Sequence, residues 1–423
     1  MIKTLLLILL VFIFSSCGLN EDHKGATRAF FGDKENDRVV IVDVEEMRLN
    51  PYVYTGHAST YTADQVYGLN KTYVVNRGEN FIDVLDIYSM KVTKSIELEH
   101  FPRSSEAINT TLGLAEASGM DKAMASIIDI YSDEVISVVG VNEKTDIDTS
   151  AGAIHGGSHA TGHPFWFDKN HFALLDRKNS RVVTYHISQL QNGDWQTIEL
   201  NTLDTTTSIH QIIPNKKGYY QGEANTFYLT AEGNDTEFPS IIEVKFSPST
   251  GLTKTDEIFL TGGNKEDMFI HHGDFHPTEP LIYVGANVAS GKGSGKGKLF
   301  IINYDNNSMT IVGSPIDVGS KAGHACMIPP ANKAVVINHA DTFISIIDTL
   351  TNTWIKDITV STSSKPNQAH MNYHFSDDGR YFYAFVTSDG ILYELDLENL
   401  EISRTVDVGG KPAQGSFIKV LVK

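Results

Sequence analysis

Short apolar runs separated by polar turns follow one another from about residue 27 to the end of the chain. They are rich in β-branched and aromatic residues and lack helical periodicity, so they predict strands. The runs recur in groups of four, and the third run of each group ends in a polar marker residue. The eight markers are Asp43, Asp86, Asp129, His186, Lys245, Asn303, Asp348 and Asp396. Successive markers lie 43 to 59 residues apart, a repeat that predicts a β-propeller with four strands per blade.

The two ends of the chain predict how this ring closes. The first group offers only three strands, over residues 29–32, 39–44 and 51–55, while a lone strand over residues 414–422 ends the chain. That last strand can supply the missing innermost strand of the first blade, which removes the exposed sheet edges. The prediction is therefore an all-β chain with a single eight-bladed propeller over residues 27–423. Seven blades are the alternative, if one weak unit is an insertion.

The first residues of the chain predict a targeting segment. A charged start with Lys3 precedes an apolar run over residues 4–14, which is short for a membrane span and is typical of a signal peptide. The sequence Phe14-Ser15-Ser16-Cys17 resembles the bacterial lipobox. We expect a signal peptide over residues 1–16, lipid attachment at Cys17, and a flexible tether over residues 17–26. The protein would then be an extracytoplasmic lipoprotein, on the periplasmic face or the cell surface of a Gram-negative bacterium. The alternative is an ordinary cleaved signal peptide.

Composition and charge narrow the classes of partner and site. Thirty-four basic and 52 acidic residues give a net charge of −18, which argues against a nucleic-acid partner because such binding needs a basic surface. The two cysteines are too few for a disulfide scaffold, a cysteine-rich zinc module or an iron–sulfur cluster. With Cys17 lipidated, Cys326 is the remaining thiol.

Histidines occupy one repeated position in the predicted blades. When the innermost strands are aligned on the turn that follows each, five successive blades begin with a histidine, far more than 16 scattered histidines would place there by chance. These residues are His163, His210, His272, His324 and His370. Innermost strands surround the channel of a propeller and begin at the same mouth, so we expect the five imidazoles to converge on one rim, in blades 4 to 8. Neutral imidazole is a preferred ligand of zinc and copper.

Further residues are expected near the same mouth. Possible additional ligands are His155, His159, Asp274, His339 and Asp341. The two carboxylates could serve as a fourth ligand or orient a ligand histidine. Arg77, Arg177 and Glu223 lie near the predicted ends of second strands, which face this mouth. His271 should point away from His272, because neighbouring residues of a regular strand face opposite sides.

Three stretches resemble bacterial propellers of the YVTN-repeat type. They are residues 73–86, which begin YVVN, residues 283–319, which begin YVGAN, and residues 407–412, which read DVGGKP and match the turn between blades. The broad group includes the periplasmic zinc chaperone AztD, the propeller domain of nitrous oxide reductase and sugar-lactone hydrolases. The resemblance implies the propeller fold. It leaves the activity open, because the group includes binding proteins, a metal carrier and hydrolases.

These patterns favour a metal-binding propeller that captures or delivers zinc or copper, with zinc slightly preferred. Cys326, two residues after His324, would favour copper as a soft ligand, although a core thiol is the simpler interpretation. The expected partner is a metal transporter or a metal-accepting protein. No catalytic residue can be named, since the chain lacks the nucleophile elbow and the zinc-protease motif. The alternatives are a lactone or ester hydrolase or a metalloenzyme using the same mouth, and a surface propeller that binds glycans or proteins.

Overall fold

Eight antiparallel β-sheets form the structure. The computed structural model describes residues 26–66, 68–105, 108–109, 113–144, 159–216, 219–220, 222–287, 297–305, 308–364, 366, 368 and 373–420. The eight sheets are the blades of a β-propeller, which confirms eight blades rather than seven. Within the described residues, helical structure is limited to two 3₁₀ turns, Lys265–Asp267 and Pro329–Ala331. No helix in that part of the chain has the length and apolar character needed to span a membrane.

The strands of the first four blades follow the predicted repeat. Blade 1 contains Thr27–Asp33, Arg38–Asp43, Arg48–Leu49, Val53–Tyr54 and Pro412–Lys419. Blade 2 contains Thr60–Gln65, Lys71–Asn76, Phe81–Asp86 and Lys91–Glu97. Blade 3 contains Pro102–Ser104, Ile108–Asn109, Leu114–Gly119, Lys122–Asp129 and Glu134–Lys144. Blade 4 contains Phe165–Trp166, His171–Asp176, Arg181–Gln189 and Trp195–Asp204.

The remaining blades repeat the same order from the channel outward. Blade 5 contains Ile209–Ile212, Thr226–Ala231, Ser240–Ser247 and Gly251–Phe259. Blade 6 contains Phe269–Phe275, Leu281–Asn287, Gly297–Asn303, Thr310–Ile311 and Ile316–Val318. Blade 7 contains Ala322–Ile328, Lys333–Asn338, Phe343–Asp348 and Thr353–Thr359. Blade 8 contains His374–Phe375, Tyr381–Val386, Ile391–Asp396 and Glu401–Asp407.

The two ends of the chain close the ring inside blade 1. Thr27–Asp33 pairs antiparallel with Pro412–Lys419, which becomes the inner strand of the blade, so the predicted closure is confirmed. The closing strand begins two residues before its predicted start. The predicted strand over residues 51–55 is instead two short pieces on either side of Pro51, whose nitrogen cannot donate a ladder hydrogen bond.

Six of the eight polar markers end their third strands as predicted, whereas His186 and Lys245 lie within strands that continue to Gln189 and Ser247. Asp86, Asp129, Asp348 and Asp396 each accept backbone hydrogen bonds from the residues two and three positions further on. An aspartate that binds its own following backbone in this way stabilises a tight turn. These four aspartates therefore direct the chain from the third strand into the fourth in blades 2, 3, 7 and 8.

The hydrophobic core lies between neighbouring blades. Alternate side chains of each sheet pack against the next sheet, and the closing blade continues this contact around the ring. Phe31 of blade 1 is fully buried, and its ring centroid lies 4.2 Å from that of Phe385 in blade 8 and 5.5 Å from that of Phe417 in the closing strand. Phe31 thus joins the first blade, the last blade and the closing strand.

We expect Phe31→Ala to lower the free energy of unfolding by about 3–5 kcal/mol, since it leaves a cavity where the ring closes. Denaturant unfolding measures this change. Leu350→Ala, at a turn residue that is 71% exposed, is the control and should stay within about 0.5 kcal/mol of the wild type. A Phe31→Ala protein as stable as the control would contradict this account of closure.

Candidate metal centre

Three of the predicted histidines meet inside the channel. His163, His210 and His272 come from blades 4, 5 and 6, and each is less than a tenth exposed. Their ring centroids lie 4.8 to 5.1 Å apart. One ligand atom of each lies within 4.8 Å of the other two. Three buried imidazoles in such a triangle are a plausible set of metal ligands.

A β-bulge near the start of the inner strand lies at or beside the histidines of blades 5, 6 and 7. In blade 5 the pairing register shifts between Ile209 and Gln211, which frees His210 from the ladder. The same shift occurs between Ile270 and Gly273 in blade 6, and between Ala322 and His324 in blade 7. A bulge adds one residue to one strand and turns its side chain to a new direction. The extra residue is His210 in blade 5 but Gly323 in blade 7, where His324 follows the bulge and pairs with Ile337, so the bulge changes the strand direction at or beside each of these histidines.

His163 reaches the triangle without belonging to a regular strand. Its backbone N–H donates to the carbonyl of His210, with 3.0 Å between the nitrogen and the oxygen. The preceding residue is Gly162, where a Cβ atom would lie 2.7 Å from that same carbonyl oxygen and 2.7 Å from the Cβ of Leu175. Glycine is thus needed for the close approach that sets His163 beside His210.

Ring contacts extend this triangle into a larger group. His324 stacks on His272 with centroids 3.9 Å apart, and His339 lies edge-on to His324 at 5.3 Å. His271 stacks on His210 at 4.5 Å, so the expectation that it points away was wrong. The bulge in blade 6 breaks the alternation on which that expectation depended. We call His163, His210, His271, His272, His324 and His339 the histidine cluster.

A buried ion pair sets the protonation of His210. The Nδ1 atom of His210 donates to Glu232 across 2.6 Å, and the same carboxylate accepts from Nη2 of Arg177 at 2.6 and 2.7 Å. Glu232 is 1% exposed. Because an ionised carboxylate only accepts hydrogen bonds, Nδ1 of His210 carries the proton and Nε2 carries the lone pair. This Nε2 atom is buried and finds no hydrogen-bond partner among the described residues.

Glu232 was not among the residues predicted at this mouth, where Glu223 was expected instead. Glu223 is exposed and bonded to Lys245, because the second strand of blade 5 begins after it rather than before it. The sequence did contain a signal for Glu232. The residue directly after the second strand of a blade is Arg77, Arg177, Glu232 or His339 in four of the blades, so all four occupy one position of the repeat.

His339 is held in one tautomer by the backbone. Its Nδ1 atom donates to the carbonyl of Gln368 across 2.9 Å, which leaves the Nε2 atom on the side of the cluster. Gly323 makes room for this ring, since a Cβ atom there would lie 2.4 Å from the His339 Cδ2 atom. Two glycines, Gly162 and Gly323, therefore permit the dense packing of the cluster.

Burial keeps four rings of the histidine cluster uncharged. It lowers the pKa values of His210, His271 and His324 well below 6.5, and the neighbouring imidazoles lower them further. Burial also lowers the pKa of His339 to about 4, partly opposed by its hydrogen bond to Gln368. These four rings are neutral at pH 7, and neutral imidazole is the form that binds metal ions.

The other predicted residues lie apart from the triangle or outside the described structure. The carboxylate of Asp274 is bonded to Lys216 and Tyr373. Asp341 accepts two backbone hydrogen bonds in a turn. His159 is half-buried, and its carbonyl accepts from Arg177. Residues outside the described part of the chain are His155, His370 and Cys17, together with the predicted signal peptide.

The triangle fits a tetrahedral ion after a small adjustment. Zinc–nitrogen bonds of about 2.0–2.1 Å place tetrahedral ligand atoms about 3.4 Å apart, and the three atoms now lie within 4.8 Å of one another. A second possible group, His210, Glu232 and His271, shares His210 with the first. Glu232 is already committed to Arg177 and His210, so the three-histidine set is the better candidate.

Comparison with known proteins supports the fold. No protein-family model and no curated protein sequence matches the chain. Among solved structures, dihydro-heme d1 dehydrogenase NirN is similar over 93% of this chain and 77% of its own, with a TM-score of 0.59 and 12% identity. AztD from Citrobacter koseri, in its apo form, is similar over 92% of this chain and 97% of its own, with a TM-score of 0.55 and 12% identity.

A third similar structure is a putative 6-phosphogluconolactonase from Bacteroides fragilis. It matches 81% of this chain and 97% of its own, with a TM-score of 0.53 and 12% identity. At such identities these likenesses show the fold alone, and the three names describe different activities. The chain thus belongs among β-propellers, and its function has to be argued from its own residues.

We expect acid to destabilise the metal-free protein through the cluster. A histidine whose pKa is lower in the folded state binds fewer protons there than in the unfolded chain, so stability falls as the pH drops from 6.5. For His339 the decline continues to about pH 4, at about 1.4 kcal/mol per pH unit. Urea unfolding of His339→Gln between pH 7 and 4.5 should show a slope smaller by about that amount than the wild type. Equal slopes would contradict the assignment.

Proposed function

We propose that this protein binds a zinc or copper ion, with zinc preferred, and captures or delivers it outside the cytoplasm. The observation that carries the proposal is the buried triangle of His163, His210 and His272, whose ligand atoms lie within 4.8 Å of one another. His210 would present Nε2 to the ion, since its Nδ1 is bonded to Glu232. A carboxylate behind a ligand histidine is the usual support of a histidine-bound metal, because it orients the ring and raises its basicity.

The donor set supports zinc over copper and over the hard cations. Calcium and magnesium prefer oxygen ligands, and the triangle offers nitrogen. Copper would gain most from a thiolate, yet burial raises the pKa of Cys326 well above 9, so this thiol keeps its proton. Neutral nitrogen donors suit zinc, which would bring a Lewis-acidic positive charge to the channel.

Capture and delivery suit the extent of the histidine cluster. Ring contacts connect five imidazoles across blades 4 to 7, from His163 to His339, and a sixth, His271, stacks on His210. An ion could exchange one ligand for the next along such a chain without crossing an apolar region. A catalytic centre would need only one fixed ligand set, so the surplus of histidines favours transfer of an ion as cargo.

The location and the partner form part of the same proposal. The lipobox-like sequence ending at Cys17 supports a lipid anchor in a bacterial membrane, on the periplasmic face or the cell surface. A metal transporter or a metal-accepting protein would then receive the ion. The net charge of −18 suits a body that attracts cations.

We expect His210→Ala to abolish metal retention. The experiment uses protein without its signal peptide and without a histidine tag, exposed to equal zinc and copper, followed by elemental analysis. Wild type should retain near-stoichiometric metal. His186→Ala is the matched control, because that histidine lies on the third strand of blade 4 outside the cluster. A wild-type protein that retains no metal would overturn the proposal.

We expect Glu232→Gln to weaken zinc binding by roughly 10–100-fold, the usual effect of losing an outer partner of a ligand histidine. The amide keeps the size of the side chain but removes the charge that pairs with Arg177. Competition with a chromophoric chelator measures the affinity. Glu223→Gln, which removes an exposed carboxylate bonded to Lys245, should bind as the wild type does. Equal affinities for both variants would show that Glu232 does not support a ligand.

A further inference from the structure

A polar network lies in the channel just beyond the histidine cluster. Its centre is the carboxylate of Asp274, which is 5% exposed. One oxygen of Asp274 accepts from the ammonium group of Lys216, from the hydroxyl of Tyr373 at 2.6 Å and from the backbone N–H of Met327 at 3.2 Å. Three donors on one buried oxygen form a strong, directional junction, because the acceptor is charged.

The other members of this network are also bonded to one another. Lys216 donates to the hydroxyl oxygen of Tyr373 and lies 4.3 Å from the centre of its ring. The Tyr373 hydroxyl lies 3.1 Å from the carbonyl oxygen of Met327. Burial raises the pKa of Tyr373 well above 10, with a further contribution from Asp274, so the hydroxyl keeps its proton. The members of the network therefore contact one another, and Tyr219 adjoins them through its hydroxyl, which donates to the Met327 carbonyl at 3.4 Å.

The network crosses the channel. Lys216 follows the inner strand of blade 5, Asp274 lies on that of blade 6, Met327 on that of blade 7, and Tyr373 directly precedes that of blade 8. Blades 5 and 8 are not neighbours in the ring. The contact between Lys216 and Tyr373 therefore spans the interior and connects strands that no sheet hydrogen bond joins.

The same strands carry the histidine cluster. Asp274 follows His272 by two residues, and Met327 follows His324 by three. Two residues of strand correspond to roughly 7 Å, so the network lies one layer below the imidazoles. Lys216 comes six residues after His210, in the first part of the connection that leaves its strand. Any change in the spacing of these strands at the network would move the histidines as well.

We propose that Lys216, Asp274, Met327 and Tyr373 form a cross-channel clamp that sets the spacing of the strands bearing His210, His272 and His324. Lys216, Asp274 and Tyr373 are then positioning residues of the metal centre rather than ligands. This inference rests on the proposed metal binding. Ligand atoms must approach within a fraction of an ångström of their ideal places to give full affinity.

Cobalt(II) tests the clamp, because its visible absorption is intense in tetrahedral sites and weak in octahedral ones. The variants are Tyr373→Phe and Lys216→Met, in protein without the signal peptide or a tag. We expect the wild type to bind cobalt with a tetrahedral spectrum. Both variants should bind at least tenfold more weakly, and the tetrahedral bands should shift or lose intensity.

Matched controls separate positioning from general stability. Tyr228→Phe removes another buried tyrosine–carboxylate bond, to Glu243, and Lys245→Met removes an exposed lysine–glutamate pair. Both should keep the wild-type spectrum. Circular dichroism and thermal unfolding of the metal-free proteins check folding. Should Lys216→Met fail to fold, Tyr373→Phe, which keeps the ring and its packing, decides the question.

The outcomes distinguish the two proposals. A wild-type protein without cobalt absorption and without zinc binding overturns the metal function itself. A wild type with a tetrahedral spectrum, together with a folded Tyr373→Phe variant of unchanged spectrum and affinity, overturns the clamp alone. A spectrum that changes in the clamp variants and in neither control supports the clamp.

Discussion

Antiparallel pairing between Thr27–Asp33 and Pro412–Lys419 holds the two ends of the chain in one sheet. Every other feature depends on this pairing, because a propeller has a central channel only when its blades form a closed ring. The inner strand of blade 1 comes from the far end of the chain, so the ring cannot close until nearly all of the chain is in place. The geometry of the candidate metal centre therefore depends on contacts between residues that are far apart in sequence.

Within the closed ring, two repeated positions of the blade carry the side chains that form the candidate metal centre. A bulge near the start of inner strands contains His210 in blade 5, falls beside His272 in blade 6 and directly precedes His324 in blade 7. The residue that directly follows each second strand contributes Arg177, Glu232 or His339. Each blade repeats the same backbone. Different side chains at these two positions of the repeat can therefore form a site without a change in the fold.

The lowered pKa values of the buried imidazoles keep these rings neutral and therefore able to bind a cation. Several imidazoles packed together would repel one another if charged, and burial removes that possibility by lowering their pKa values. The neighbouring ion pair of Arg177 and Glu232 is internally balanced, and it gives His210 a defined tautomer. Similar propellers carry quite different names, which is expected when the function resides in a few channel side chains.

The blade repeat could be predicted from the sequence alone, because alternating apolar strands and turn-forming aspartates are local signals. The same repeat placed histidines at the starts of inner strands, and so predicted that His163, His210 and His272 would share a mouth. The orientation of His271 could not be predicted, because a bulge depends on how a strand pairs with its neighbour. The pairing of Glu232 with Arg177 and the Lys216–Asp274–Tyr373 contacts were likewise out of reach, although the repeat does show that Glu232 follows a second strand. They join side chains from different blades, and only the closed ring brings those blades face to face.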